Sequence, residues 1–421
     1  MTPQSRGNSL GPMGFVLAFG VVSMLADVVY EGARSITGPF LATLGATAAM
    51  TGFITGFGEA VALVMRLGTG PLADRTRRYW PLTIAGYALT VVAVPLLALA
   101  GSLWQASALV VAERFGKAVR SPARDTMLSH AGSRLGRGKA FAIHEALDQS
   151  GALMGPLLVS LMVAVAGYQL GFGVLAVPGV LALLAVFLLR RAVPAPERYD
   201  TAVDGRAPAP GVPVPGVPAP TKGRGSAGKR TPLPARFWWY SAFTAVSMFG
   251  FPTFGVVSYH LEIQKVLPPA LIPVSYAVSM GVAALAALGS GALYDRTGLR
   301  GLLLTLPLTA AVPFLSFTTD TALVWAGAVV WGAALGIHES TLRAAVADLV
   351  PVARRGAGYG IFTAIYGISW LAGSTIIGAL YSASLPSLAL FTVGTQLAAL
   401  LVFLPLFRRG RTEYWRRGTE A

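Results

Sequence analysis

Long apolar runs, each about one bilayer deep, alternate with short charged turns along the chain. A hydrocarbon layer about 30 Å thick is crossed by a helix of roughly 20 apolar residues. Runs of that kind extend from about Pro12 to Arg34, Thr51 to Leu72, Tyr79 to Ala100, Trp104 to Leu128, Lys139 to Ala166 and Leu170 to Arg190. The series resumes with Arg236 to Tyr259, Ala270 to Tyr294, Leu299 to Phe317, Thr321 to Leu349, Gly356 to Ser382 and Pro386 to Phe407. The pattern predicts an all-α membrane protein with twelve transmembrane helices in two six-helix bundles, residues 1–191 and 236–421, the second ending in a basic tail. Between them, residues 192–235 are rich in Pro, Gly, Ala and basic residues, as in Gly211-Val212-Pro213-Val214-Pro215-Gly216-Val217-Pro218. Such a composition buries no core and reads as an extended, disordered cytoplasmic linker.

Two charged tracts tie the halves together. Gly70-Pro71-Leu72-Ala73-Asp74-Arg75-Thr76-Arg77-Arg78 returns as Gly291-Ala292-Leu293-Tyr294-Asp295-Arg296-Thr297-Gly298-Leu299-Arg300, and both fit G-x-L-x-D-R-T. A repeat at half-chain distance in so hydrophobic a sequence indicates two similar halves. The tract resembles the loop between the second and third helices of the major facilitator superfamily of membrane transporters, G-x-L-a-D-r-x-G-r-r. The first copy has Arg77 where the glycine is expected; the second keeps Gly298. A more local resemblance joins Arg114-Phe115-Gly116-Lys117-Ala118-Val119-Arg120-Ser121-Pro122-Ala123-Arg124-Asp125 to the R-x-G-K-x-x-R-x-x-x-R-D segment of a prokaryotic branch of that superfamily.

Composition agrees with the pattern. The chain has 421 residues, of which 54% are hydrophobic and 12% charged. About a quarter is usual for a soluble domain, so most of this chain avoids water. The net charge of +15 would suggest nucleic acid in a soluble protein, but the Lys and Arg follow alternate runs, as at Arg75, Arg77 and Arg78, Arg190 and Arg191, and Arg354 and Arg355. That layout is positive-inside bias. It excludes a nucleic-acid partner and places the chain in the cell (inner) membrane with both termini cytoplasmic. There is no cysteine, hence no thiol or Cys-based metal chemistry. No cleavable signal peptide is visible at the N-terminus. No G-x-x-x-x-G-K-[ST], G-x-S-x-G or H-E-x-x-H motif occurs, so neither ATP coupling nor an enzyme is indicated.

Charged residues inside the runs are the candidate chemistry, since each costs about 2.5–3.5 kcal/mol at the bilayer centre unless it meets a partner or a wet cavity. Asp27, Glu31 and Arg34 share one face of the first helix. Asp27 lies about 15 residues in, roughly 22 Å at 1.5 Å per residue, in the outer half. The three either neutralise one another at the rim or present a carboxylate that alternately binds a proton and a cationic substrate. On the fourth helix Glu113, Lys117, Arg120 and Arg124 form one stripe beside Arg114. On the fifth, His144, Glu145 and Asp148 precede Gly151-Ala152-Leu153-Met154-Gly155-Pro156. Gly151 and Gly155 allow close helix approach and Pro156 a bend, which suits a hinge between halves, although packing alone explains the glycines equally well. No spacing demands a metal. Glu59, Arg66, His338 and Glu339 carry less signal.

The resemblance implies further roles. Arg114 matches an arginine that is associated with proton-driven members, and Gly151 to Pro156 match the core of a helix motif associated with exchangers. Asp74 would cap the eleventh helix near Gly356 to Gly360 and pair with Arg120 or Arg124. Asp295 and Arg296 would do the same against Lys139 to Phe141. With Gly70, Arg75, Arg78 and Gly291 these form a cytoplasmic gate. Proton and substrate coupling falls to Asp27, Glu31, Arg34, Glu113, Arg114, Glu145 and Asp148. The expected protein is a monomeric, cofactor-free secondary transporter that works by alternating access and exports a small amphipathic molecule in exchange for protons. The alternatives are a nutrient or lipid importer or uniporter of the same fold, and a membrane sensor that has lost transport.

Overall fold

The computed structural model describes residues 9–201, 232–351 and 354–417, so most of the linker expected over 192–235 lies outside the described residues. The described chain is helical: α1 Pro12–Thr43, α2 Ala48–Val64, α3 Arg66–Thr76, α4 Tyr79–Leu96, α5 Leu103–Leu135, α6 Arg137–Val174, α7 Ala176–Ala192 and α8 Arg198–Thr201 in the first half. The second half has α9 Ala235–Phe249, α10 Phe254–Ile263, α11 Leu271–Thr297, α12 Thr305–Ser316, α13 Thr321–Leu349, α14 Arg355–Ala383 and α15 Leu385–Arg417.

Among the described residues nine helical stretches are long and apolar enough to cross a membrane. Two of them, Gly138–Ala192 with 55 residues and Leu271–Ser316 with 46, far exceed one crossing. The first doubles back: its helix breaks at Ala166 and Gly167, where φ turns positive at 75°, and Ala140 and Leu189 meet in one core. The second turns at Gly298. Helix α5 is not among the nine; its stripe of charged residues keeps it too polar.

The core follows the division into halves. One buried cluster runs from Leu233 to Leu406 and takes only Leu63 from the first half. Two others are built mainly from α1, α4, α5, α6 and α7, with Ile54 of α2 and Tyr199 of α8, around Val29, Phe40 and Phe172 and around Phe15, Trp80 and Leu189.

Two expected boundaries are corrected. The first helix does not end at Arg34 but continues to Thr43, because Arg34 is neutralised inside the protein by Glu59 and Glu31 and marks no membrane edge. Asp27, the sixteenth of the 32 residues, is therefore at the helix midpoint rather than in its outer half. The seventh run is broken into α9 and α10 at Gly250 to Thr253. Pro252 has no N–H to continue the ladder, and its freed carbonyl accepts from Trp331 Nε1 at 2.9 Å.

The two tracts explain the expected glycine. Arg77 and Gly298 both have positive φ, 51° and 59°. Arg77 has ψ 22°, the left-handed region that an L-residue enters at about 1–2 kcal/mol. Gly298 has ψ −143°, close to a region that is essentially glycine-only. Helices α1 and α2 run out and back, as do the pair α9 and α10 with α11, so both tracts lie on one face, called here the tract side.

The halves are joined on the opposite, far side. Gly38 on α1 abuts the Gly255 carbonyl, and Gly52 on α2 abuts the Ser374 carbonyl, each leaving no room for a Cβ. A hydroxyl chain of Thr55, Thr253 and Ser374 links α2, the residue that precedes α10, and α14 with steps of 2.9 Å. Ser160 donates to the Ala270 carbonyl at 2.6 Å and Tyr168 to Glu262 at 2.5 Å. Toward the tract side a cavity separates the halves, although Leu67 of α3 still lies against Gly360 of α14.

Candidate functional site

A cavity of about 480 Å³ lies between the halves. Its first wall carries Asp27, Tyr30, Glu31 and Arg34 of α1, Glu59 of α2, Lys117 and Arg124 of α5, and Asp148 of α6. Its second wall carries Met280 of α11, Leu335 and His338 of α13, and Phe362, Tyr366 and Trp370 of α14. Asp125 and Glu145 stand at the tract-side mouth, where the Asp125 side chain is 47% exposed. The far-side contacts close the other end.

Two ionic clusters fill the first wall. In the deeper one Glu59 receives Arg34 at 2.9 Å and Arg114 at 3.4 Å. Arg34 also reaches Glu31 at 3.7 Å, and Arg114 reaches its neighbour Glu113 at 3.3 Å. Aromatic faces support the cations: Arg114 sits 4.4 Å from the Tyr30 ring centre and Arg34 5.8 Å from that of Trp370. Tyr276, from the second half, donates to Glu31 Oε2 at 2.5 Å. A hydrogen bond between the halves thus ends on this cluster.

The second cluster lies nearer the tract side. Arg120, 1% exposed, donates to Thr90 at 2.8 Å, stacks 4.8 Å from the Tyr87 ring and reaches Asp27 only at 4.0 Å. Arg124 holds Asp125 at 3.0 Å and Asp148 at 3.9 Å. Lys117 rests 3.5 Å from the centre of the same Tyr30 ring and makes no ion pair within 4.0 Å among the described residues. Tight packing fixes this register: a Cβ on Gly151 would meet the Met24 carbonyl and come within 3.1 Å of the Asp27 Cβ, and one on Gly155 would meet the Val28 carbonyl. Helices α1 and α6 therefore run in backbone contact, with Asp27 and Asp148 on adjacent turns.

Several expected arrangements differ. Asp27, Glu31 and Arg34 close on themselves only in part: Arg34 reaches Glu31 at 3.7 Å but lies nearer Glu59, and Asp27 turns to Arg120. Arg120 and Arg124 are buried or engaged in the cavity wall and do not pair with Asp74. Asp74, Arg75, Arg78, Asp295 and Arg296 are exposed, and Gly70 and Gly291 have open space about them. Lys139 and Phe141 are exposed as well. Gly151 and Gly155 pack on α1 within their own half, and α6 continues helical through Pro156, its break coming at Ala166 and Gly167. Glu145 faces the mouth and accepts from Gln149 at 2.9 Å. No cluster of His, Asp and Glu fit to hold a metal occurs among the described residues.

Sequence reasoning gave Glu59 little weight, yet two arginines converge on it. One acidic residue in an apolar run signals a partner elsewhere, but only folding names that partner. Tyr30, Tyr87, Tyr276 and Trp370 carried no signal, since aromatic residues in apolar runs look like core. His338, 1% exposed, lines the second wall with no hydrogen bond to either ring nitrogen among the described residues.

Known proteins agree with this architecture. An uncharacterized protein of Mycobacterium tuberculosis is 50% identical over 400 residues, covering 94% of each chain. An uncharacterized MFS-type transporter of Methanocaldococcus jannaschii is 24% identical over 404 residues, covering 93% of this chain and 94% of that one. Among solved structures, the inward-facing, occupied form of a bacterial homolog of the human lysosomal transporter Spinster superposes with a TM-score of 0.66 at 16% identity, covering 94% and 96% of the two chains. The nucleoside transporter NupG superposes with a TM-score of 0.69 at 14% identity, covering 93% and 99%. At those identities the structures share the fold alone. The family model of the Major Facilitator Superfamily matches residues 19–374, and the chain belongs to that family of membrane transporters and is not an enzyme.

Proposed function

We propose that the protein is a secondary active transporter that works by alternating access and exports a small amphipathic organic molecule in exchange for protons. The observation that carries this reading is the cavity between the halves, closed on the far side, open toward the tracts and lined by carboxylates that the protein's own cations do not saturate. Twelve crossings in two six-helix bundles, residues 1–191 and 236–421, frame that cavity as a monomer in the cell membrane. Positive-inside bias puts both termini and the 192–235 linker in the cytoplasm. The tract side is then cytoplasmic, and the structure corresponds to an inward-open state.

In the opposite state Asp74 caps the start of α14, where Leu67 already lies against Gly360, and Asp295 and Arg296 close on the start of α6. Gly70, Arg75, Arg78 and Gly291 complete this gate through helix-dipole and ion-pair terms. Asp27, Glu31, Arg34, Glu113, Arg114, Glu145 and Asp148 form the coupling set, with Arg120 and Arg124 poised between coupling and gate.

The test is flux in sealed proteoliposomes under an imposed pH gradient, first with a panel of candidate compounds and then with variants. Asp27→Asn and Glu113→Gln abolish concentrative transport while membrane insertion is retained, and a protonophore collapses transport by the unaltered protein. Full concentrative transport by both variants overturns the coupling assignment.

A further inference from the structure

The two cavity walls differ in chemistry, and the difference names a substrate class. Among the described residues the charged side chains lining the cavity come from the first half, apart from Glu339, which is exposed; the second half contributes mostly apolar and aromatic side chains, with His338, Ser340 and Thr363 among them. Such a cavity suits a molecule that is charged at one end and flat and apolar at the other.

The sign of the charge follows from which groups still lack a partner. Glu59 is held by two arginines, and Glu31 takes a hydroxyl and an arginine. Glu113 is tied to Arg114 beside it. Asp27 accepts no hydrogen bond among the described residues; Arg120 approaches it only to 4.0 Å and spends a donor on Thr90. Asp148 has its Oδ1 buried without a partner, and its Arg124 is committed at shorter range to Asp125. Both residues line the cavity where α1 and α6 touch, near enough for each acid to feel the other's charge. Opposite them lie Phe362, Tyr366 and Trp370. Lys117, facing Asp27 and Glu31, is parked on the Tyr30 ring rather than on either acid. Unspent acceptors on buried acids call for a cationic donor, and a resident cation held off by a ring can give way to one.

We propose that Asp27 and Asp148 bind the charged group of an organic cation, a protonated primary or secondary amine. The aromatic body of that cation lies against Phe362, Tyr366 and Trp370, and Lys117 competes for the same acids. This assignment rests on the transporter reading of the cavity and goes beyond it by naming the charge and shape of the cargo.

Three probes of one shape test it by calorimetric titration of the full-length protein in lipid nanodiscs, with empty nanodiscs subtracted: 4-biphenylmethylamine, 4-biphenylmethanol and biphenyl-4-carboxylate. The amine binds about tenfold tighter than the alcohol, the worth of one added charge-assisted hydrogen bond, and the carboxylate binds most weakly. The double variant Asp27→Asn with Asp148→Asn removes the preference for the amine over the alcohol. Lys117→Gln tightens the amine several-fold, by about the effect of one nearby like charge. Equal binding of amine and alcohol, no binding of the amine, or tightest binding of the carboxylate overturns the proposal. Carboxylate-selective binding with protonophore-sensitive flux in proteoliposomes overturns the cation assignment alone. Amine-selective binding with no flux of any probe overturns the transporter reading and leaves the site.

Discussion

Glu59 offers the sharpest test of how the cavity wall is held together. Its carboxylate, about a tenth exposed, receives Arg34 and Arg114 at 2.9 and 3.4 Å. Glu59→Gln keeps the shape and one carbonyl acceptor but removes the charge between two buried cations. Breaking a buried pair by neutralising one partner costs about 3–5 kcal/mol. Both arginines keep a second carboxylate, Glu31 at 3.7 Å and Glu113 at 3.3 Å, so the lower end, about 3 kcal/mol, applies. Glu113→Gln removes a carboxylate that serves one arginine, Arg114 at 3.3 Å, where Glu59 serves two, and costs about 1–2 kcal/mol. With an unfolding entropy of roughly 2.1 cal/mol/K per residue and 421 residues, 1 kcal/mol corresponds to roughly 1 °C in melting midpoint. The assay is thermal unfolding in one detergent, followed by tryptophan fluorescence. Glu59→Gln lowers the midpoint by about 3 °C and Glu113→Gln by about 1–2 °C. An unchanged midpoint for Glu59→Gln, or a drop smaller than that of Glu113→Gln, would refute the claim that Glu59 is the junction of the cluster.

Two glycine predictions probe the halves and their turns. Gly52→Val drives a side chain into the Ser374 carbonyl and costs about 1–3 kcal/mol by overpacking, whereas Gly70→Ala, with nothing within 4 Å, leaves the unfolding midpoint unchanged or slightly raised; loss of stability in Gly70→Ala contradicts this. Gly298→Ala meets no neighbouring atom but strains the backbone at φ 59° and ψ −143°, at about 1–3 kcal/mol; a melting curve that superposes on the parent's rules that strain out.

The apolar runs announced a helical membrane protein because a bilayer imposes one length and one kind of backbone on any segment that crosses it. Positive φ at Arg77 and Gly298 shows why the repeated tract favours glycine at that place. Helix ends were less legible. Arg34 reads as a membrane edge until its partners are known, and Pro252 breaks a helix that composition alone runs straight through. The second-half cavity wall was illegible, since Phe362, Tyr366 and Trp370 are indistinguishable in sequence from lipid-facing or core aromatics.

By itself the sequence determined the class of molecule, the repeat of the charged tract, the uneven placement of Lys and Arg, and which helices carry buried charge. Those are one-dimensional properties of length, period and charge order. Tertiary structure alone decided the pairing: that Glu59 rather than Asp27 gathers the arginines, that Tyr276 bridges the halves to Glu31, and that Arg120 meets Asp27 while Arg124 meets Asp125 and Asp148. An ion pair between helices depends on their rotation and depth. Close-packed glycines such as Gly52 and Gly151 set both, through contacts distant along the chain.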